Sequence, residues 1–194
     1  MSIYVPRSRD DVAELIREYP MGLVVSAGIE GHAVTPLPLL AEIGEDGQVA
    51  SLFGHIARRN PLADMFARDP HALIIFQGPQ GYVSPGLVSN LTWGPTWNYA
   101  LVTLEVEIVL LPEETEKALE ALAIHLEEGA WAPRQMGERY DQLRQRIIAF
   151  RAIVRSMEAK FKLGQDENPE TFQEIVQGID NPELARWMIR SGRG

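Results

Sequence analysis

Between Leu52 and Tyr99 the chain gathers residue types that could hold a flat, charged ligand. The stretch carries Phe53-Gly54-His55-Ile56-Ala57-Arg58-Arg59-Asn60-Pro61, then Ile75-Phe76-Gln77-Gly78-Pro79. Tyr82-Val83-Ser84-Pro85 and Pro95-Thr96-Trp97-Asn98-Tyr99 follow. Glycine allows close backbone approach, arginine grips anions and aromatic rings stack. Gly and Pro taken singly could equally be shaping turns. The whole set, with Arg58, Arg59, His55, Gln77, Asn60, Asn98 and Trp97 in those segments and Trp93 just before the last, points to a site.

His55 has three readings. A neutral imidazole could be an axial heme ligand, could bond a flavin phosphate or ring edge, or could be a structural histidine bonded to backbone at a strand end. Arg58 and Arg59 precede an expected helix start, where the helix dipole disfavours cations. A ligand phosphate or propionate would offset that cost, and so would a neighbouring Asp or Glu. Lys160 and Lys162 flank Phe161, so on a strand they share one face. They either reach an anionic group or are solvated. Glu105 and Glu107 read as the solvated side of a sheet rather than an acid–base pair. Ser84 has no His/Asp partner in sequence and does not read as a nucleophile. His32, His71 and His125 lack metal-ligand spacing and read as surface or turn residues.

Composition narrows the classes. With 194 residues there is length for one well-cored domain, and 45% hydrophobic and 23% charged residues are ordinary for a globular protein. The absence of cysteine excludes disulfides, thiolate ligation and cysteine catalysis. No apolar run approaches the roughly 20 residues that span a bilayer. The first residues, MSIYVPRSRDD, lack the apolar core of a signal peptide, so a cytoplasmic location is expected. A net charge of −9, with no helix-turn-helix pattern, argues against direct DNA binding.

The elements that must position these residues follow from pattern. Ser8 to Tyr19 is expected as a helix capped by Ser8 or Asp10, with Val12, Leu15, Ile16 and Tyr19 on its apolar stripe. A strand over Gly22–Ala27 leads to a turn at Gly28-Ile29-Glu30-Gly31. His32–Ile43 is extended, and Pro36 and Pro38 require an edge or a bulge there. Gly44–Gly47 is a hairpin turn, and Gln48–Gly54 the next strand. Asn60 with Pro61 starts a helix to about Arg68. Ala72–Phe76 reads as a strand buried on both faces, and Gly81–Ser84 as a separate short one. Leu101–Leu111 alternates cleanly. A helix runs from Pro112 to about Glu127, a weaker helix or loop covers Ala130–Gln145, and Ile147–Met157 is a late strand with Arg151 and Arg155 on one face. Asn168-Pro169 and Asn181-Pro182 each start a helix. Six or seven strands with hairpin connections predict a mainly β, α+β fold: an antiparallel barrel with peripheral helices. We expect one domain over residues 1–194, with C-terminal helices at about 168–190.

These blocks, with Tyr4-Val5-Pro6 and Phe161-Lys162-Leu163-Gly164-Gln165, resemble the PaiB-like FMN-binding negative transcriptional regulators of the split-barrel flavoprotein superfamily. The resemblance implies a homodimeric six-stranded antiparallel FMN-binding split barrel, with the cofactor in a groove contacted by both subunits. It implies that the segment after the strand ending at Gly54 grips the phosphate. The cofactor-binding residues would be His55, Arg58, Arg59, Asn60, Gln77, Ser84, Trp97, Asn98, Tyr99, Lys160, Lys162 and Gln165. The pattern departs from the common one in three places. Gly86-Leu87 replaces a Trp-Tyr pair, the loop between Ser84-Pro85 and Pro95-Thr96 is short, and Ala159 precedes the Lys-rich motif. The last two features also resemble a heme-using branch, the piperazate synthases, which form an N–N bond in an N-hydroxylated ornithine. FMN is therefore the first expected cofactor and heme b, ligated by His55, the alternative. The functions implied are an FMN-binding regulator or sensor, a heme-dependent N–N-forming enzyme, or a flavin oxidoreductase acting on a small molecule.

Overall fold

The computed structural model describes residues 2–28 and 31–192. Six antiparallel strands form a closed barrel in the order β1-β2-β3-β6-β5-β4: β1 Met21–Gly28, β2 Gly31–Ile43, β3 Val49–Ala57, β4 His71–Val83, β5 Thr96–Leu111 and β6 Ile147–Lys162. The long strands come from alternation. Along β5, Asn98, Ala100, Val102, Leu104, Val106 and Ile108 are buried while the residues between them face outward.

The two prolines of β2 lie where its chemistry tolerates them. Pro36 and Pro38 pair with Leu23 and Met21 of β1, and only from Leu39 onward does β2 pair with β3. Residues 31–38 thus have an open second edge, as the missing N–H donors require. The Gly44–Gly47 turn forms as expected, with the Gly44 N–H donating to the Gln48 carbonyl at 2.8 Å and Gly47 at a φ of 77°. Gly28 and Gly31 make the last rung of the β1–β2 ladder, and the turn residues 29 and 30 lie outside the described residues.

Six α-helices close the barrel. α1 (Asp10–Glu18) and α2 (Pro61–Arg68) bury Leu15, Ile16, Leu62 and Phe66. α3 (Thr115–Glu127) and α4 (Glu138–Arg146) fill the β5–β6 connection. α5 (Pro169–Gly178) and α6 (Pro182–Ser191) put Ile175, Leu184, Trp187 and Met188 into the same core as Leu39, Ile74, Phe76 and Phe150. All three Asn-Pro starts work as expected: Asn60, Asn168 and Asn181 each accept a backbone N–H of the following turn, at 3.0 Å.

Several expectations are corrected. α1 has Arg9 at its cap position with no side-chain cap; instead the Asp11 carboxylate accepts the Ser8 N–H at 2.9 Å. The apolar run Ala72–Phe76 is not buried on both faces: Ile74 and Phe76 point in, Leu73 and Ile75 are half-exposed on the outside. Gly81–Val83 continues β4 past an irregularity at Gln77–Gln80, so it is not a separate strand. β3 runs on to Ala57, which places His55 inside the strand. Pro112–Glu114 is a single 3₁₀ turn ahead of α3, and the 130–145 segment contains a second such turn, Pro133–Met136, before α4.

Candidate functional site

The candidate residues fall into three groups. The first is the turn joining β3 to α2. Asn60 accepts the Leu62 N–H through Oδ1, and its Nδ2 donates to Thr35 Oγ1 at 3.1 Å, so it is fully engaged in starting α2 and tying it to β2. Arg58 and Arg59 project from the turn into solvent with no side-chain partner among the described residues. Two cations therefore stand at the positive end of α2 without a carboxylate to offset them. Among the described residues neither arginine is in an ion pair, although Asp64 lies in the first turn of α2. Beside α2 lies a cleft of about 630 Å³ lined by Ser26, His32, Ala33, Pro61, Asp64 and Met65, among others.

The second group lies on the outer surface of β4, β5 and the end of β6. Gln77, Trp97, Tyr99, Lys160 and Lys162 share this face, because Gln77 pairs with Leu101, Leu101 with Lys160, and Tyr99 with Lys162. The Trp97 indole is half-exposed, donates to Gln80 Oε1 at 2.6 Å and packs against Tyr82 with ring centroids 6.0 Å apart. Lys160 stands over the Tyr99 ring at 5.8 Å. Lys162 is committed internally, donating to Thr96 Oγ1 at 2.5 Å and to the Trp97 carbonyl, and lying against the Tyr4 ring.

The remaining candidates are not at either place. Asn98 points inward, 1% exposed, with its amide on the Met188 sulfur at 3.6 Å. Ser84 caps the 3₁₀ turn Pro85–Leu87 by accepting the Gly86 N–H. Gln165 closes the end of β6, accepting from the Leu163 N–H at 2.8 Å and donating to the Phe161 carbonyl at 2.6 Å. His55 sits on the face of β3 that also carries Phe53, which packs with Ala118 of α3. Its Nδ1 is buried without a hydrogen-bond partner, and burial lowers the imidazole pKa, so the ring is neutral at pH 7. The backbone bond of the structural reading is absent at Nδ1.

The glycines of the motifs serve packing. A Cβ on Gly54 would meet Leu39 Cδ2 at 2.6 Å and the Pro38 carbonyl at 3.1 Å; one on Gly78 would meet Leu15 Cδ1 at 2.8 Å. The close approaches are therefore of β2 and α1. Elsewhere, Glu105 accepts from Ser156 and Glu107 pairs with Arg155, which fits a surface role.

In one chain the first two groups do not meet. The β3–α2 turn adjoins the start of β6, since the Arg58 N–H donates to the Arg146 carbonyl at 2.8 Å and Ala57 pairs with Ile147. Lys160 and Lys162 stand at the other end of β6, about 50 Å of strand away. Sequence reasoning also passed over Arg139 and Arg146 on α4, in a segment whose helix it left undefined. Their seven-residue spacing, which puts both on one helix face, was the available signal.

Known proteins share this architecture. The sequence model of one family, described as "Putative FMN-binding domain", matches residues 2–156. The chain is 26% identical to "Protease synthase and sporulation protein PAI 2" of Bacillus subtilis, over 93% of this chain and 91% of that protein. Among solved structures it is similar to the FAD and heme binding protein from Mycobacterium smegmatis, at 16% identity and a TM-score of 0.62, covering 89% of this chain and 78% of that one. It is also similar to the flavocytochrome Anf3 from Azotobacter vinelandii, at 13% identity and a TM-score of 0.60, covering 79% and 67%. These likenesses show the split-barrel fold that the motifs implied. Among the described residues no helix is long and apolar enough to cross a membrane.

Proposed function

The chain belongs to the FMN-binding domain family of PaiB-like split barrels, and from that premise we propose that it holds FMN in grooves formed between two copies of itself and works as a flavin-linked sensor or regulator. The observation that carries this reading is the Arg58–Arg59 pair: two guanidinium groups without counter-charge at the start of α2. A phosphate monoester offers the charge and the oxygen geometry that such a guanidinium fork binds; the first turn of α2 adds no free donor, since Pro61 lacks an N–H, the Leu62 N–H goes to Asn60 Oδ1 and the Ala63 N–H to the Asn60 carbonyl.

The ring end needs a second surface. The outer face of β1, β4 and β5 exposes Met21, Leu23, Tyr82 and Trp97, with Ile75 and Leu101 between them. Among the described residues no helix buries Met21, Leu23, Tyr82 or Trp97, and apolar side chains grouped in this way favour burial against a partner. A second copy would bring its aromatic end, with Trp97, Tyr99 and Lys160, toward the arginine turn of the first. The residues of the chain bind and orient: Arg58 and Arg59 the phosphate, Trp97 and Tyr99 the ring faces, and Lys160 an electron-rich ring edge. The flavin, when bound, supplies redox chemistry.

Heme fits less well. A ligating imidazole usually donates its second N–H to a carboxylate or carbonyl, which orients it, and His55 Nδ1 has no such partner. Net charge −9 favours a regulatory output through a protein or small molecule over direct binding to DNA. The test is the absorption spectrum of purified protein incubated with FMN and, separately, with hemin. A bound, fluorescence-quenched flavin without a Soret band is expected. A sharp Soret band lost in His55→Ala would overturn the flavin reading in favour of the heme enzyme.

A further inference from the structure

The arginines of this acidic chain are mostly spoken for. Arg17, Arg134, Arg144, Arg151, Arg155, Arg186 and Arg190 are in ion pairs, and Arg7 and Arg9 donate to carbonyls. Arg68 also has a partner. Among the described residues this leaves Arg58, Arg59, Arg139 and Arg146, and all four lie around one junction. The Arg58 N–H donates to the Arg146 carbonyl at 2.8 Å, and Arg139 stands seven residues before Arg146, two turns up the same face of α4. Their Cα atoms are about 10 Å apart along the helix, within the combined reach of two arginine side chains.

Helix electrostatics do not account for the set. Arg146 is at the end of α4, where a cation is favoured, but Arg139 is in its first turn and Arg58 and Arg59 precede α2. Three of the four therefore sit where the helix dipole opposes them. Of the two acidic residues of α4, Asp141 pairs with Arg144, and Glu138, next to Arg139 in the first turn, is in no ion pair with Arg139 or Arg146 among the described residues. One phosphate monoester carries about −1.5 to −2 charges at pH 7, which two guanidinium groups already match.

We propose that Arg139 and Arg146 form a second phosphate subsite beside the one at Arg58 and Arg59, so that the complete site takes two phosphate groups. This rests on the flavin-phosphate reading of the first subsite. The second phosphate has two possible sources, the pyrophosphate of a flavin dinucleotide or a separate phosphorylated ligand bound next to FMN. Recognition is the same in both cases: guanidinium forks on non-bridging oxygens.

The experiment titrates wild type, Arg139→Ala/Arg146→Ala and Arg144→Ala with FMN, FAD and, after loading with FMN, inorganic pyrophosphate, at physiological ionic strength. Arg144→Ala removes one charge from the same helix, against two in the double variant, and a general field effect would therefore give it about half the change in binding free energy. The dinucleotide source predicts that FAD binds about tenfold more tightly than FMN, and that the double variant erases this difference with little effect on FMN. The separate source predicts equal binding of the flavins, with pyrophosphate bound by FMN-loaded wild type and not by the double variant. If FMN binds but neither FAD preference nor pyrophosphate binding depends on Arg139 and Arg146, or if Arg144→Ala gives about half that change or more, the inference is overturned and the flavin reading stands. If no flavin binds to wild type, both fall together.

Discussion

Asn60 joins two parts of the candidate site through one side chain: its Oδ1 accepts the Leu62 N–H at 3.0 Å while its Nδ2 donates to Thr35 Oγ1 at 3.1 Å. The helix start beside Arg58 and Arg59 is thereby fixed to β2. Asn60→Ala should lower stability by about 1–2 kcal/mol, read from urea unfolding. Asn60→Asp keeps the cap and should retain most of that stability. It adds a negative charge beside the arginines, so its FMN affinity should fall more than its stability. An Asn60→Asp protein that binds FMN as wild type would remove the phosphate from this turn.

Gly78 lies under Leu15, with room for a hydrogen and little more. Gly78→Ala should destabilise by about 1–3 kcal/mol through overpacking between α1 and the barrel. FMN affinity of the folded fraction should be unchanged. A stable variant with weakened FMN binding would mean that the glycine serves the ligand rather than the helix.

Acid should loosen the contact between α1 and α6. Glu18 accepts from both Arg186 nitrogens and from the Trp187 indole at 3.0 Å, and its pKa is held down at about 2, chiefly by Arg186. A carboxylate with a depressed folded-state pKa contributes stability above its unfolded value, near 4.5, and loses it as pH falls toward 2. The urea midpoint should drop across that window, and Glu18→Gln should flatten the drop while lowering stability at pH 7. An unchanged slope in Glu18→Gln would assign the acid sensitivity elsewhere, with Asp11, paired with Arg190, the next group to test.

Leu23 is 42% exposed on the outer face. If two copies pair through this face as proposed, wild type should sediment as a dimer and Leu23→Arg as a folded monomer, and FMN binding should be lost with the partner surface. A monomeric variant that retained FMN would make the site internal to one chain.

The parts of this structure legible in sequence are those set by local chemistry. Three Asn-Pro pairs start three helices because cap and proline act within one turn. Pro36 and Pro38 announced an open edge because a missing donor matters wherever the strand lies. The alternation of β5 gave its faces directly. What depended on long-range register was not legible. Asn98 and Tyr99 are adjacent in sequence, and only the pairing of β5 shows that one enters the core beside Met188 while the other faces out. Gly54 and Gly78 resembled ligand-approach glycines until Leu39 and Leu15 were seen to fill the space. Arg139 and Arg146 lay in a segment too polar for its helix to be read from an apolar stripe.

The central claim is that Arg58 and Arg59 bind the phosphate of a flavin. The most direct measurement is the dissociation constant of FMN, by fluorescence quenching, for wild type and for Arg58→Ala/Arg59→Ala, with riboflavin as the phosphate-free control. The account predicts that the double variant loses about 2–5 kcal/mol of FMN binding and binds riboflavin as wild type does. Equal FMN affinity in the two proteins, or an equal loss for riboflavin, would contradict it.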